Sequence, residues 1–116
     1  MRQIIRNARI IGTGSYAPEK ILTNIDIEKL VKTNDKWIQE KLGIKCRHIA
    51  GENEATSDLA YRAGQRAIDD AGLKVEDIDL IIVATTTPDR LAPSTGVIVQ
   101  DKLKAYNAVA FDIAAV

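Results

Sequence analysis

The chain is poor in cysteine and in aromatic rings and carries no excess charge, and each shortage removes a class of function. Its one cysteine, Cys46, cannot close an intrachain disulfide, which excludes a disulfide scaffold and fits a reducing, cytoplasmic setting. Lys plus Arg is 16 and Asp plus Glu is 16, so no sequence-wide basic surface is present to recruit nucleic acid or an anionic membrane. There is no run of 18 apolar residues, hence no expected transmembrane helix. Arg2, Arg6, Asn7 and Arg9 interrupt the apolar stretch that a secretory leader would need. Internal repeats, low-complexity stretches and linkers are also missing. What remains is ordinary for a soluble globular protein: 116 residues, 46% hydrophobic and 28% charged, one domain's worth of chain at most and at the small end for independent stability.

The pattern is that of an α/β protein. Ala8–Gly14 reads as a short strand ending in a glycine turn. Asn24 is placed to cap a short helix over Ile25–Val31, and Asn34 or Asp35 a second one through Trp37, Ile38 and Leu42, stopped by Gly43. Ile44–Ile49 suggests a strand or extended arm. Thr56 and Ser57 open the longest helix, to about Ala71 with Gly72 as its stop. Along it Ala60, Ala63, Gly64, Ala67 and Ala71 form a stripe of very small side chains that allows close approach. Leu80-Ile-Ile-Val-Ala84 is a continuous apolar run, the pattern of a parallel strand covered on both faces. A helix from Ser94 to about Leu103 and a strand over Ala108–Ile113 complete a βαβ unit.

Few groups in this sequence suggest chemistry. Gly12-Thr13-Gly14 lacks the third glycine of a dinucleotide-binding loop and reads as a tight turn. Cys46 and His48 would share one face of a strand, yet neighbours on one strand rarely meet at an angle suited to proton transfer. They read as a semi-buried thiol and a structural histidine. Thr85-Thr86-Thr87 stands at the C-terminal end of the buried strand, where open parallel sheets place ligands, and either lines a pocket or serves turn chemistry. Trp37, the only tryptophan, has Lys36, Lys41 and Lys45 nearby and either packs or stacks on a ligand's base.

Several stretches together resemble the β-ketoacyl-acyl carrier protein synthase III family of condensing enzymes. They are Ile11-Gly-Thr-Gly-Ser-Tyr-Ala-Pro18, Thr23-Asn24, Asp35-Lys-Trp-Ile38, Gly43-Ile44, Arg47-His-Ile49, Ala67-Ile68, Ala71-Gly72, Val83-Ala-Thr-Thr86, Pro93-Ser94 and Ala110-Phe-Asp112. No single stretch is decisive, but they follow the family's order and spacing over the whole chain. The trailing Asp112-Ile-Ala-Ala-Val116 resembles the run that leads into the family's nucleophilic cysteine. That cysteine is therefore expected directly after Val116, with a histidine and an asparagine further downstream, so the chain itself contains no catalytic residue of the family.

The resemblance implies a thiolase-like layered fold with a parallel or mixed sheet and a buried small-residue helix. Residues 1–116 would form the N-terminal part of the first thiolase-like domain, with the remainder of the enzyme absent. It implies acyl transfer from an acyl-coenzyme A primer, then decarboxylating condensation with malonyl-acyl carrier protein, in a cytoplasmic homodimer. Coenzyme A enters as a thioester substrate; no cofactor, metal, nucleic acid or membrane is involved. Thr33 and Trp37 match family positions that hold the adenine, Lys41 stands where arginine is usual, and Arg47 keeps its family type. A lysine supplies a point charge in place of a planar fork. Thr86 matches a position near the acyl pocket and dimer interface. Ala92 replaces a bulky aromatic that closes the partner's acyl pocket in short-primer members, and Lys104 replaces a usual glycine. Two other readings remain open: a thiolase-fold relative for starter-unit transfer or long-acyl condensation, and a non-catalytic α/β packing or dimerisation module.

Overall fold

The computed structural model describes residues 7–114. The chain folds as two compact units: Ala17–Ala55, and the described residues up to Tyr16 together with Thr56 onward.

In the smaller unit, β1 (Lys20–Thr23) runs into α1 (Asn24–Glu28); α2 (Asp35–Leu42) and β2 (Cys46–Ile49) follow. β1 and β2 pair antiparallel, with Lys20 opposite Ile49 and Thr23 opposite Cys46. The expected cap of α1 is displaced by one residue. Thr23 is the N-cap and forms a reciprocal capping box with Asp26: Thr23 Oγ1 accepts from Asp26 N at 3.2 Å, and the Asp26 carboxylate accepts from Thr23 N at 3.1 Å. These bonds satisfy donors that the first turn otherwise leaves unpaired, and Asn24 is thereby freed to point inward as the first helical residue. The helix stops at Glu28, short of Val31: Lys29 N and Leu30 N bond three residues back, to Asp26 O and Ile27 O, the tighter pattern of a last turn. α2 begins and ends as expected, capped by Asn34 and closed by Gly43 at φ 67°, a left-handed conformation that glycine adopts without a Cβ penalty. β1 has no counterpart among the sequence expectations. Four residues carrying Lys20 and Thr23 offer too little apolar alternation to reveal a strand.

The larger unit holds α3 (Thr56–Ala71), a 3₁₀ turn (Val75–Asp77), β3 (Leu80–Ala84), α4 (Thr95–Leu103) and β4 (Val109–Ile113). β3 and β4 are parallel, with Ile82 opposite Phe111, so the expected βαβ unit is present. Its core is Ile68, Val99, Leu103, Ala105 and Ala108, with Tyr61, Ile81 and Val83 packed around it. Asp112 on β4 fixes the start of α4. Its two carboxylate oxygens accept from Thr95 N at 2.8 Å and Gly96 N at 2.6 Å, a favourable place for negative charge.

Two expectations about this unit change. Ala8–Gly14 is not a strand: among the described residues none pairs with it, and Ile10 is 85% exposed. The segment instead lies on the small-residue stripe of α3. A Cβ on Gly12 would stand 2.5 Å from Ala67 O, and one on Gly14 would overlap Ala63 O, so only glycine permits this approach. Thr13 N donates to Asp70 Oδ2 at 2.9 Å, Arg66 Nη1 donates to Ser15 O at 2.6 Å, and the Arg62 guanidinium lies 4.6 Å from the Tyr16 ring centroid. Side chains of α3 thus supply the partners that a neighbouring strand would have given. The second change concerns the apolar run of β3, which is covered on one face only. Ile81 and Val83 pack on the core, while Leu80, Ile82, Val109, Phe111 and Ile113 are exposed on the other face.

Candidate functional site

In the smaller unit α1, α2 and the segment between them enclose an open cavity of about 750 Å³, within the range of small-ligand sites. Ile27, Val31, Ile38 and Leu42 give it an apolar wall. Trp37 stands in that wall with its indole half exposed. The Asn34 cap orients the start of α2, its Oδ1 accepting from Trp37 N at 2.8 Å. Thr33 precedes that cap, and the cations in the lining are Lys32 and Arg47.

A buried asparagine organises the polar side of this unit. Asn24 is 1% exposed, and its amide is fully engaged. Nδ2 donates to Asp35 Oδ1 at 2.7 Å and to Ile44 O at 2.8 Å, while Oδ1 accepts from Arg47 Nη1 at 2.7 Å. One side chain therefore ties together the start of α2, the segment leading into β2 and the guanidinium in the cavity. Hydrogen bonds from Asn24, then from Gln39, hold the Asp35 carboxyl below its ordinary pKa. Asp26 is lowered to about 2 by the Thr23 side chain first, and further by the Lys29 side chain and the Thr23 backbone.

The structure thus brings Thr33, Trp37 and Arg47 into one cavity. Lys41 is exposed and is not among the lining residues, although it follows Trp37 by one helical turn; Leu42 forms the wall at that level. Thr86 and Ala92 belong to the larger unit, in the β3–α4 connection, and both are exposed; the Ala92–Pro93 peptide is cis. Of the threonine run, Thr85 serves a turn, its Oγ1 accepting from Thr87 N at 3.0 Å, and Thr87 O accepts from the Thr56 hydroxyl at 2.6 Å. Cys46 is exposed, not semi-buried, because β2 has only β1 beside it. His48 has its structural partner: Nδ1 lies 2.6 Å from Pro18 O, and since a carbonyl only accepts, Nδ1 carries the proton. Ala115 and Val116, with the cysteine position expected after them, lie outside the described residues. Reading the sequence missed Lys32 and the central role of Asn24. The one signal for Lys32 was adjacency to Thr33; Asn24 was visible as a helix-capping residue type and as part of the Thr23-Asn24 stretch.

No protein-family profile matches the chain. Individual proteins do. The chain is 60% identical over 109 residues to β-ketoacyl-acyl carrier protein synthase III of Thioalkalivibrio sulfidiphilus, covering 94% of the chain and 34% of that protein. It is 62% identical over 106 residues to the synthase III of Caldanaerobacter subterraneus subsp. tengcongensis, covering 91% and 32%. Among solved structures, 3-oxoacyl-acyl carrier protein synthase III of Aquifex aeolicus superposes with a TM-score of 0.86 at 50% identity, over 91% of the chain and 34% of that structure. A priming β-ketosynthase of the R1128 polyketide pathway gives 0.87 at 33% identity, over 92% and 32%. The chain spans about a third of the length of the curated relatives it matches. The expected fold, part of the thiolase-like α/β fold, is the one these structures share. By sequence and by fold, then, the chain is similar to β-ketoacyl-acyl carrier protein synthase III enzymes over about a third of their length.

Proposed function

We propose that these residues are the N-terminal, coenzyme A-binding part of an enzyme that starts fatty acid synthesis. The complete enzyme moves the acyl group of an acyl-coenzyme A primer onto a cysteine thiol, releasing coenzyme A. It then condenses that acyl group with malonyl-acyl carrier protein, with loss of carbon dioxide. The observation that carries this reading is the cavity that gathers Thr33 and Trp37, matched to the family's adenine positions, with Arg47, which keeps its family type, in a chain 60% identical to a synthase III. An exposed indole offers a stacking face for a purine, and a guanidinium offers forked donors for phosphate. Lys41, beside that cavity, is a further candidate for phosphate contact. The setting proposed is a cytoplasmic homodimer with coenzyme A thioester as substrate and no metal; no helix among the described residues is long and apolar enough to cross a membrane.

The test is condensation. The polypeptide extended through the residues that follow Val116 should join labelled acetyl-coenzyme A to malonyl-acyl carrier protein. The 116 residues alone should not, and should leave Cys46 unlabelled. Stoichiometric acylation of Cys46 would overturn the assignment of the nucleophile. Thr86 and Ala92 are proposed to lie at the acyl end. Ala92→Phe in the extended enzyme should narrow kcat/KM toward acetyl by about tenfold relative to a primer two carbons longer, since each buried methylene contributes about 0.8 kcal/mol. An unchanged primer profile would remove Ala92 from the pocket.

A further inference from the structure

We propose that Asp89 and Thr95 are positioning residues for the acyl end. They hold residues 90–93 in place, so that the side chain at position 92 can select primers by length. The inference rests on the acyl-end placement of Ala92 given above and assigns the residues that fix that placement.

The β3–α4 connection is pinned on both sides by hydrogen bonds between elements. On one side, Thr87 O accepts from the Thr56 hydroxyl at 2.6 Å, and Asp89 Oδ1 accepts from Ser57 N at 2.9 Å. Both donors lie in the first turn of α3. Asp89 thus satisfies an amide that the helix start leaves unpaired, and places a negative charge there, from 32 residues away along the chain. On the other side, Asp89 N donates to Thr95 Oγ1 at 3.2 Å. Thr95 is itself fixed, because its backbone N donates to Asp112 Oδ2 at 2.8 Å. Ser57 and Thr95 are both fully buried, so the two anchor points are shielded from water, where a hydrogen bond holds its geometry best.

Between the pins the chain projects outward. Arg90, Leu91, Ala92 and Pro93 are exposed, Leu91 at 98%, and none of the four belongs to the apolar core of the unit. A segment with so few buried contacts has little local stability of its own. Residues 90–93 therefore take their position from Asp89, which bonds to α3 through its carboxylate and to α4 through its amide. A bulky side chain at position 92 limits an acyl chain only when its backbone is held; an unpinned turn would let it swing aside. Asp112, which fixes Thr95, lies in the run that resembles the lead-in to the family's nucleophile. One network would then refer both the turn and the reacting group to a common frame.

The experiment measures kcat/KM for acetyl-coenzyme A and for a primer two carbons longer, in the polypeptide extended past Val116. In the parent, Ala92→Phe narrows the ratio toward acetyl by about tenfold. The expected result is a narrowing of less than about twofold when the same change is made in Asp89→Ala or in Thr95→Val. In Asp89→Asn it should remain about tenfold, since the amide oxygen still accepts from Ser57 N. Thr95→Val keeps the side chain's shape, and it decides the outcome by itself should Asp89→Ala not fold. A loss of stability lowers the active fraction for both primers alike and leaves their ratio unchanged, so a merely structural role would not remove the coupling. Leu103→Ala, in the core of the same unit, is the control and should keep the full narrowing. Full narrowing in both Asp89→Ala and Thr95→Val, or its loss in Asp89→Asn or in Leu103→Ala, would overturn the roles of Asp89 and Thr95 while Ala92 keeps its place at the acyl end. No narrowing in the parent would remove Ala92 from the pocket and the inference with it.

Discussion

Around Ile68, Val99 and Leu103 the larger unit excludes water with buried aliphatic side chains, and its buried polar groups, Ser57 and Thr95, lie outside that cluster. The smaller unit has at its centre Asn24, a buried amide with three hydrogen bonds, beside a single buried aliphatic residue, Ile38. An apolar core is non-directional and tolerates changes that keep its volume. A hydrogen-bonded hub is directional, so it fixes the orientation of Arg47 and the start of α2, and it loses that order when one group is removed. The larger unit is built to pack and the smaller one to aim side chains, which is where the candidate binding residues lie.

The comparison can be pressed hardest in the core. Leu103→Ala should cost about 3 kcal/mol, the transfer loss plus an unfilled cavity, read as a lower denaturant midpoint and as lost amide protection in α3 and α4. A cost below about 1 kcal/mol would mean that this core is not the unit's main support. Next in size is Asn24→Ala, expected to cost about 2 kcal/mol because Ile44 O, Arg47 and Asp35 each lose a partner. Its readout is lost protection in α2 and β2. Retained protection with unchanged Arg47 side-chain resonances would show that the hub does not organise the smaller unit.

A smaller effect of opposite sign is expected at Lys104. It closes α4 in the left-handed conformation at φ 62°, one that glycine adopts without a Cβ penalty. Lys104→Gly should stabilise the larger unit by about 1 kcal/mol, since the Cβ penalty disappears. The exposed pair with Asp101 at 3.4 Å adds little to set against that gain. A lower melting temperature would refute the argument.

The gentlest probe is acid. Asp26 and Asp35 have folded pKa values below their ordinary ones, so the unfolded chain takes up protons first as the pH falls. The stabilisation they give is complete above the ordinary carboxylate value near 3.8 and, for Asp26, is lost as the pH drops through about 2. Carboxyl chemical shifts followed between about pH 5 and about pH 1.5 should place both midpoints below the ordinary value. An Asp26 midpoint at 3.8 would remove the capping box as its cause.

The residue pattern by itself determined the elements whose signals are local. The α2 cap at Asn34 and its stop at Gly43, the span of α3, and the β3–α4–β4 alternation all follow from capping side chains, glycine and apolar periodicity, which act over a few residues. The resemblance grouped Thr33, Trp37, Lys41 and Arg47, and of these Thr33, Trp37 and Arg47 line one cavity. Only the tertiary structure decided the rest, because it depends on partners distant in the chain. Ala8–Gly14 has a strand's composition but lies on α3 without a strand beside it. Asn24 has a capping residue's chemistry, but Thr23 fills that role and turns the amide toward Asp35, Ile44 and Arg47. Lys41 has the helical spacing from Trp37, yet Lys32 lies in the cavity. Periodicity specifies which face a residue occupies on its own element; which groups meet across elements is set by packing and by the need of each buried polar group for a partner.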